Sequence, residues 1–140
     1  MKRRTFIQSA LSAPLLLGCD LAQLDDFTLG LLTNDEVLAI DQDALGNQAT
    51  QFSNQDGKVV YAKTLADGSI AVGLFNRGET ETTIALKWGP WGNLPTPHVG
   101  TTFRVRDLWR QQDLGILNEH ISSKVRRHGV TLLRLWPAER

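Results

Sequence analysis

The chain has 140 residues, 41% of them hydrophobic and 21% charged, which suits a single globular domain with a real core. Fifteen Lys and Arg offset fifteen Asp and Glu, so no net field draws the chain to nucleic acid or an anionic membrane. The one cysteine, Cys19, excludes an internal disulfide and any cysteine-rich zinc site.

The chain opens MKRRTFIQSALSAPLLLGC. Lys2, Arg3 and Arg4 form a positive n-region, Phe6 to Gly18 is mostly apolar, and Leu16-Leu17-Gly18-Cys19 has the shape of a lipoprotein cleavage box. Twin arginines followed by Thr5-Phe6-Ile7-Gln8 loosely fit a twin-arginine export signal. The apolar run is broken by Gln8, Ser9, Ser12 and Pro14 and falls short of the ~20 residues of a membrane span. The other reading is a buried strand, APLLLGC, entering a helix; the local pattern leaves both open.

Helical signals follow. Leu24, Phe27 and Leu31 recur at helical spacing, with Asp25 and Asp26 where a helix start favours negative charge. Thr33 followed by Glu36 reads as a capping box opening a second short helix, EVLAI, and Gly46 closes the helical region. From about Ala49 the period changes to two. VVYAKTL and SIAVGLFN flank Asp67-Gly68, a hairpin signal. TETTIALKW puts Ile84, Leu86 and Trp88 on one face. TFRVRDLW alternates Phe103 and Val105 against Arg104 and Arg106, giving one buried and one wet face, with Asp107 and Trp109 following inward or at the edge. A strand from Leu114 to Leu117, then HISSKV and HGVTLLRLW, complete seven or eight short strands, the signature of a mainly β, antiparallel sandwich of Greek-key type. GPWGNLPTPHVG reads as a surface loop.

No catalytic apparatus stands out. Asp25/Asp26, Asp35/Glu36 and Asp41/Asp43 sit near helix ends, where capping explains them; a glycosidic pair must face across a cleft. Asp107 is expected to accept hydrogen bonds from the turn backbone or an arginine. His98, His120 and His128 lack ligand spacing, so no metal or other cofactor is expected. Ser122-Ser123 lacks a nucleophile elbow. Trp88, Trp109 and Trp136 fall at strand ends and are expected to seal the core, whereas Trp91, in the Pro/Gly loop, is the candidate for an exposed sugar contact.

The stretch APLLLGCDLAQLDDFTLGLLTNDEVLAIDQDALGNQATQ, with RDLWRQQDLG and VRRHGVTLLRL, resembles the α-galactosidases (melibiases) of glycoside hydrolase family 27, over about Ala13 to Leu135. The resemblance implies a (β/α)8 barrel followed by a C-terminal β-sandwich, of which this chain carries the last part. Residues 1–12 would be a leader or unmatched start, 13–48 the last barrel strand (near Leu15 to Cys19) and its helices, and 49–140 the sandwich. The family's nucleophile and acid/base aspartates lie upstream of the matched region, so none maps onto this sequence and no catalytic, cofactor or metal residue is carried over. Asp20 would lie at the end of the barrel strand, beside the active-site rim, without a catalytic role. The full-length enzyme would cleave terminal α-linked galactose with retention, the sandwich would pack against the barrel, and the fragment alone would be inactive. The competing readings are a free-standing carbohydrate-binding sandwich, with Trp91 as a contact, and an exported, lipid-anchored structural domain.

Overall fold

The computed structural model describes residues 20–89, 92, 94 and 102–138. The leader-like opening, Trp91 and His98 lie outside them.

A 3-10 turn (Leu21–Gln23) leads into two seven-residue helices, α1 (Asp26–Leu32) and α2 (Asp35–Asp41). Eight strands follow: β1 (Thr50–Gln55), β2 (Lys58–Thr64), β3 (Ile70–Asn76), β4 (Thr82–Lys87), β5 (Thr102–Asp107), β6 (Gln112–Leu117), β7 (His120–Val125) and β8 (Val130–Ala138). They form a six-stranded sheet in the order β1-β2-β3-β8-β5-β6 and a two-stranded sheet, β4-β7. Every strand pair is antiparallel. The chain leaves the large sheet after β3 to lay down β4, returns for β5 and β6, leaves again for β7, and closes with β8 between β3 and β5. This is the expected antiparallel sandwich behind a helical segment.

Two Asp-Gly pairs set the first hairpins. Between β1 and β2, Asp56 and Gly57 both have positive φ, 50° and 78°, the backbone of a two-residue primed turn, and Gln55 pairs Lys58 directly across it. Between β2 and β3, the Asp67 carboxylate accepts from the Ser69 amide and hydroxyl, at 3.0 and 2.5 Å, while Gly68 takes φ 81°.

The large sheet is apolar on both faces at its centre. Its inner face, with Val60, Val72, Leu74, Phe103, Val105, Leu133 and Leu135, packs on Ile84, Leu86 and Trp88 from β4 and its end. Trp88 meets Phe103 edge-on at 5.4 Å between centroids. Its indole N–H donates to the Asn118 carbonyl at 2.9 Å, so the buried polar end is satisfied. On the outer face Leu65, Ala71 and Leu108 form a second cluster with Ile40 of α2, flanked by Val37 and Leu132.

Four expectations need correction. The cap of α2 is Asn34, not Thr33: its side chain accepts from the Val37 amide. Thr33 instead ends α1, with its hydroxyl donating to the Leu29 carbonyl at 2.8 Å. The Arg104/Arg106 face is not simply wet, because α2 covers part of it and holds Arg106. Trp109 is 37% exposed, while Leu108 is 0% exposed. The strand stops at Asp107 and the chain turns, so alternation no longer places Trp109 inside; Leu108 is left facing outward, under α2. Trp136, finally, lies on the outer face, not in the inter-sheet core: it pairs across to Arg104, and the Arg104 and Arg134 guanidiniums stand 4.5 and 4.9 Å from its ring centroid. Asp107 behaves as expected. It is buried, and it accepts from the Arg110 amide at 3.1 Å and from Arg110 Nη1 at 3.3 Å.

Leu108→Ala should therefore cost about 2–5 kcal/mol and Trp109→Ala about 1 kcal/mol or less. Denaturant unfolding of the two variants checks this, and the reverse order would refute the packing described.

Candidate functional site

Among the described residues no group of three or more His, Cys, Asp or Glu side chains could hold a metal. Several carboxylates are committed to structure. Asp20 and Asp25 accept from the Ala22 and Thr28 amides at 2.9 and 2.7 Å. Asp43 accepts from the Ala66 amide at 3.0 Å and the Leu45 amide at 3.1 Å, pinning the loop after α2 to the β2–β3 turn. Asp67 takes Arg134 Nη2 at 2.9 Å, and Ser69, Arg134 and Trp136 together hold its carboxyl below the usual range, the Ser69 bond being the largest cause. His128 pairs with Glu79 at 3.2 Å, and the Ser123 hydroxyl is bonded to that of Thr131. With two guanidiniums against its ring, Trp136 offers no free sugar platform, and Trp88 is buried.

The distinctive site is the seam between the helical lead-in and the sandwich. Asn34 is buried there with both ends of its amide used: Oδ1 caps α2, and Nδ2 donates to the Leu108 carbonyl at 2.9 Å. Two residues on, Glu36 receives Arg106 Nε at 2.7 Å and Nη2 at 2.6 Å, a bidentate fork. Asp113 of β6 adds a weaker attraction at 3.9 Å from Arg106 Nη1. At the other end of the helix, Lys63 Nζ donates to the Ile40 carbonyl at 2.6 Å, a cation where the helix dipole favours one. Gln111 reaches Asp35 at 3.2 Å. With Val37 and Ile40 packed below, α2 is clamped to the large sheet along its whole length.

The first part of the lead-in is treated differently. No residue of α1 is buried. Phe27 is 75% exposed, and Leu29, Leu31 and Leu21 are exposed too. The helical spacing of Leu24, Phe27 and Leu31 was legible in the sequence; the exposure of Phe27 and Leu31 was not. Asn34 and Arg106 were missed as seam residues. The signal for Asn34 was available, since it sits directly before DEVLAID and three residues before Val37.

An antiparallel β-sandwich with a helix clamped at its entrance defines the class of this chain, and comparison with known proteins gives its family. Residues 55–135 match the family described as the alpha galactosidase C-terminal beta sandwich domain, and the chain belongs to that family. It is 39% identical over 133 residues to a probable alpha-galactosidase of Dictyostelium discoideum, covering 92% of this chain and 34% of that protein. It is 35% identical over 125 residues to an alpha-galactosidase of Cyamopsis tetragonoloba, covering 89% and 29%. Among solved structures it is similar to alpha-galactosidase I from Mortierella vinacea, with TM-score 0.83 and 29% identity over 96% of this chain and 34% of that one. A GH27 β-L-arabinopyranosidase from Geobacillus stearothermophilus gives TM-score 0.79 and 29% identity over 96% and 30%. The chain thus spans about a third of the length of these relatives and corresponds to a C-terminal portion of them.

The Glu36 carboxyl is held below its usual range, first by the Arg106 hydrogen bonds and further by the charges of Arg106 and Arg134, against an opposing push from burial. The same pairing raises Arg106. Because the folded-state value of Glu36 is lowered, its stabilising contribution is complete above the ordinary glutamate range and fades as pH falls through the lowered value. Wild type should accordingly exceed Glu36→Gln in thermal stability near neutral pH, with the gap closing in acid. A pH series of melting curves measures it; a gap that widens in acid contradicts the clamp.

Proposed function

We propose that this chain serves as the C-terminal portion of a family 27 glycoside hydrolase that removes terminal α-linked galactose with retention of configuration, and that its own part is structural. In this reading residues 13–48 close the catalytic barrel, residues 49–140 form the sandwich, and residues 1–12 precede the matched region. The seam divides the labour: α2 grips the sandwich, and α1 turns its apolar side chains to the barrel.

One observation carries the reading. Phe27 and Leu31 share one face of α1 and Leu29 lies on another, yet all three are exposed. A helix apolar all round is normally buried in protein, and the similar chains carry roughly twice as much further polypeptide to supply that cover. The two catalytic carboxylates of such an enzyme must face each other across a cleft. Asp20, Asp25, Asp43, Glu36, Asp67 and Asp107 instead cap helices, close turns or bind arginines, and in this reading the 140 residues alone should not turn over substrate.

Two measurements test this. The purified 140-residue chain should release no chromophore from a chromogenic α-galactoside; turnover that is abolished by mutating a carboxylate of this chain would sink the assignment. The double substitution Phe27→Ser with Leu31→Ser should reduce binding of a hydrophobic dye while changing stability by no more than about 1 kcal/mol, the scale of the helix-propensity change. A collapse of the melting temperature would mean that these side chains pack inside this chain instead.

A further inference from the structure

The small sheet has two strands and the large sheet six. Strands lie ~4.8 Å apart within a sheet, and packed sheets ~10 Å apart, so β4 and β7 span only the middle of the large sheet. Beyond β7, over the inner face of β8, β5 and β6, runs a groove of two adjoining cavities of about 360 and 380 Å³, both bordered by Arg110, Lys124 and Thr131.

Three features say what the groove fits. The first cavity is lined by Ile121, Ser122, Ser123 and Lys124 in succession. Successive strand residues point to opposite faces, so a cavity touching four in a row meets the strand side-on, at its backbone. One edge of β7 is paired with β4, and among the described residues no strand pairs with the other. The floor is aliphatic, with half-buried Leu114 and Leu117 beside buried Leu133, and among the described residues no aromatic ring lines it for a sugar to stack on. The rim is cationic: Arg110 is matched by Asp107 at 3.3 Å, which leaves Lys124 and Arg126 against Glu81. A chain of zero net charge has a local positive excess here.

We propose that this groove docks an extended acidic peptide of a partner protein, which adds to the free edge of β7 as a third strand of the small sheet. Its backbone pairs with Ile121 to Lys124, alternate aliphatic side chains rest on Leu114 and Leu117, and the intervening carboxylates face Lys124 and Arg126.

The test titrates the isotope-labelled 140-residue chain with a short peptide of alternating valine and glutamate, following backbone amide signals. The Ile121 to Lys124 amides should shift in a saturable way. The same peptide N-methylated along its backbone, and a valine–lysine peptide, should each bind at least ~10-fold more weakly, because one loses strand pairing and the other charge. The Lys124→Glu, Arg126→Glu double variant, with its melting temperature unchanged, should lose affinity by a similar factor for the glutamate peptide. Equal binding of the N-methylated peptide would reduce the groove to a general polyanion site and overturn the proposal. Saturation without any shift at Ile121 to Lys124 would overturn it too, as would no binding at all.

Discussion

Val59 and Val60 are sequence neighbours on one strand, and each is 1% exposed. Adjacent strand residues face opposite sides of a sheet, so both can be buried only if the sheet is covered twice. The rest of the structure depends on this constraint. The strands β2 and β3, read as KVVYAKT and IAVGLFN, are too apolar for an antiparallel sheet with one wet face. On the inner side the cover is β4, β7 and Trp88. On the outer side the middle of β3 and β8 is covered by α2, and the region beyond it by the chain's own aromatics. Phe75 meets Tyr61 edge-on at 5.6 Å, and its ring lies over Gly73, where an added Cβ would come within 2.6 Å of it. A helix is therefore as necessary to this sandwich as its second sheet.

That necessity explains the polar chemistry of the seam. A short helix contributes little stability of its own in water, because nucleating a turn fixes several residues for one hydrogen bond. With seven residues and one buried apolar side chain, Ile40, α2 needs more than a hydrophobic stripe to stay in place. It is fixed at the start by Asn34 on Leu108, in the first turn by Glu36 on Arg106, and at the end by Lys63 on the Ile40 carbonyl. Each bond also satisfies a group that burial would otherwise leave unpaired. Lys63 and Arg106 come from β2 and β5, so the helix is tied across the width of the sheet.

The strands, the Asp67-Gly68 hairpin and the inward set Ile84, Leu86 and Trp88 were legible because they rest on local rules of period and turn chemistry. β1 was not, since TQFSNQ is polar and depleted in β-branched residues; the Asp56-Gly57 turn behind it was the available clue. The failures at Arg106, Leu108 and Trp109 share another cause. Period two tells which side chains share a face, but not what lies on that face or where the strand stops. Arg106 meets Glu36, seventy residues away in sequence, and Leu108 is buried by a helix whose docking no local pattern announces.

The two surfaces left without a cover differ in kind. Around α1 the exposed groups are side chains, Phe27 and Leu31, on a helix whose backbone bonds are internal; such a surface asks for shape and apolar area, which a neighbouring domain supplies. Beside β7, an edge that no described strand pairs with presents backbone donors and acceptors above an aliphatic floor, which an extended chain can meet in register. The sandwiches of an α-galactosidase and of a β-L-arabinopyranosidase resemble this one equally in sequence, at 29% identity each. In this chain one side holds the entrance helix through Asn34, Glu36 and Lys63; the other leaves an edge of β7 unpaired among the described residues.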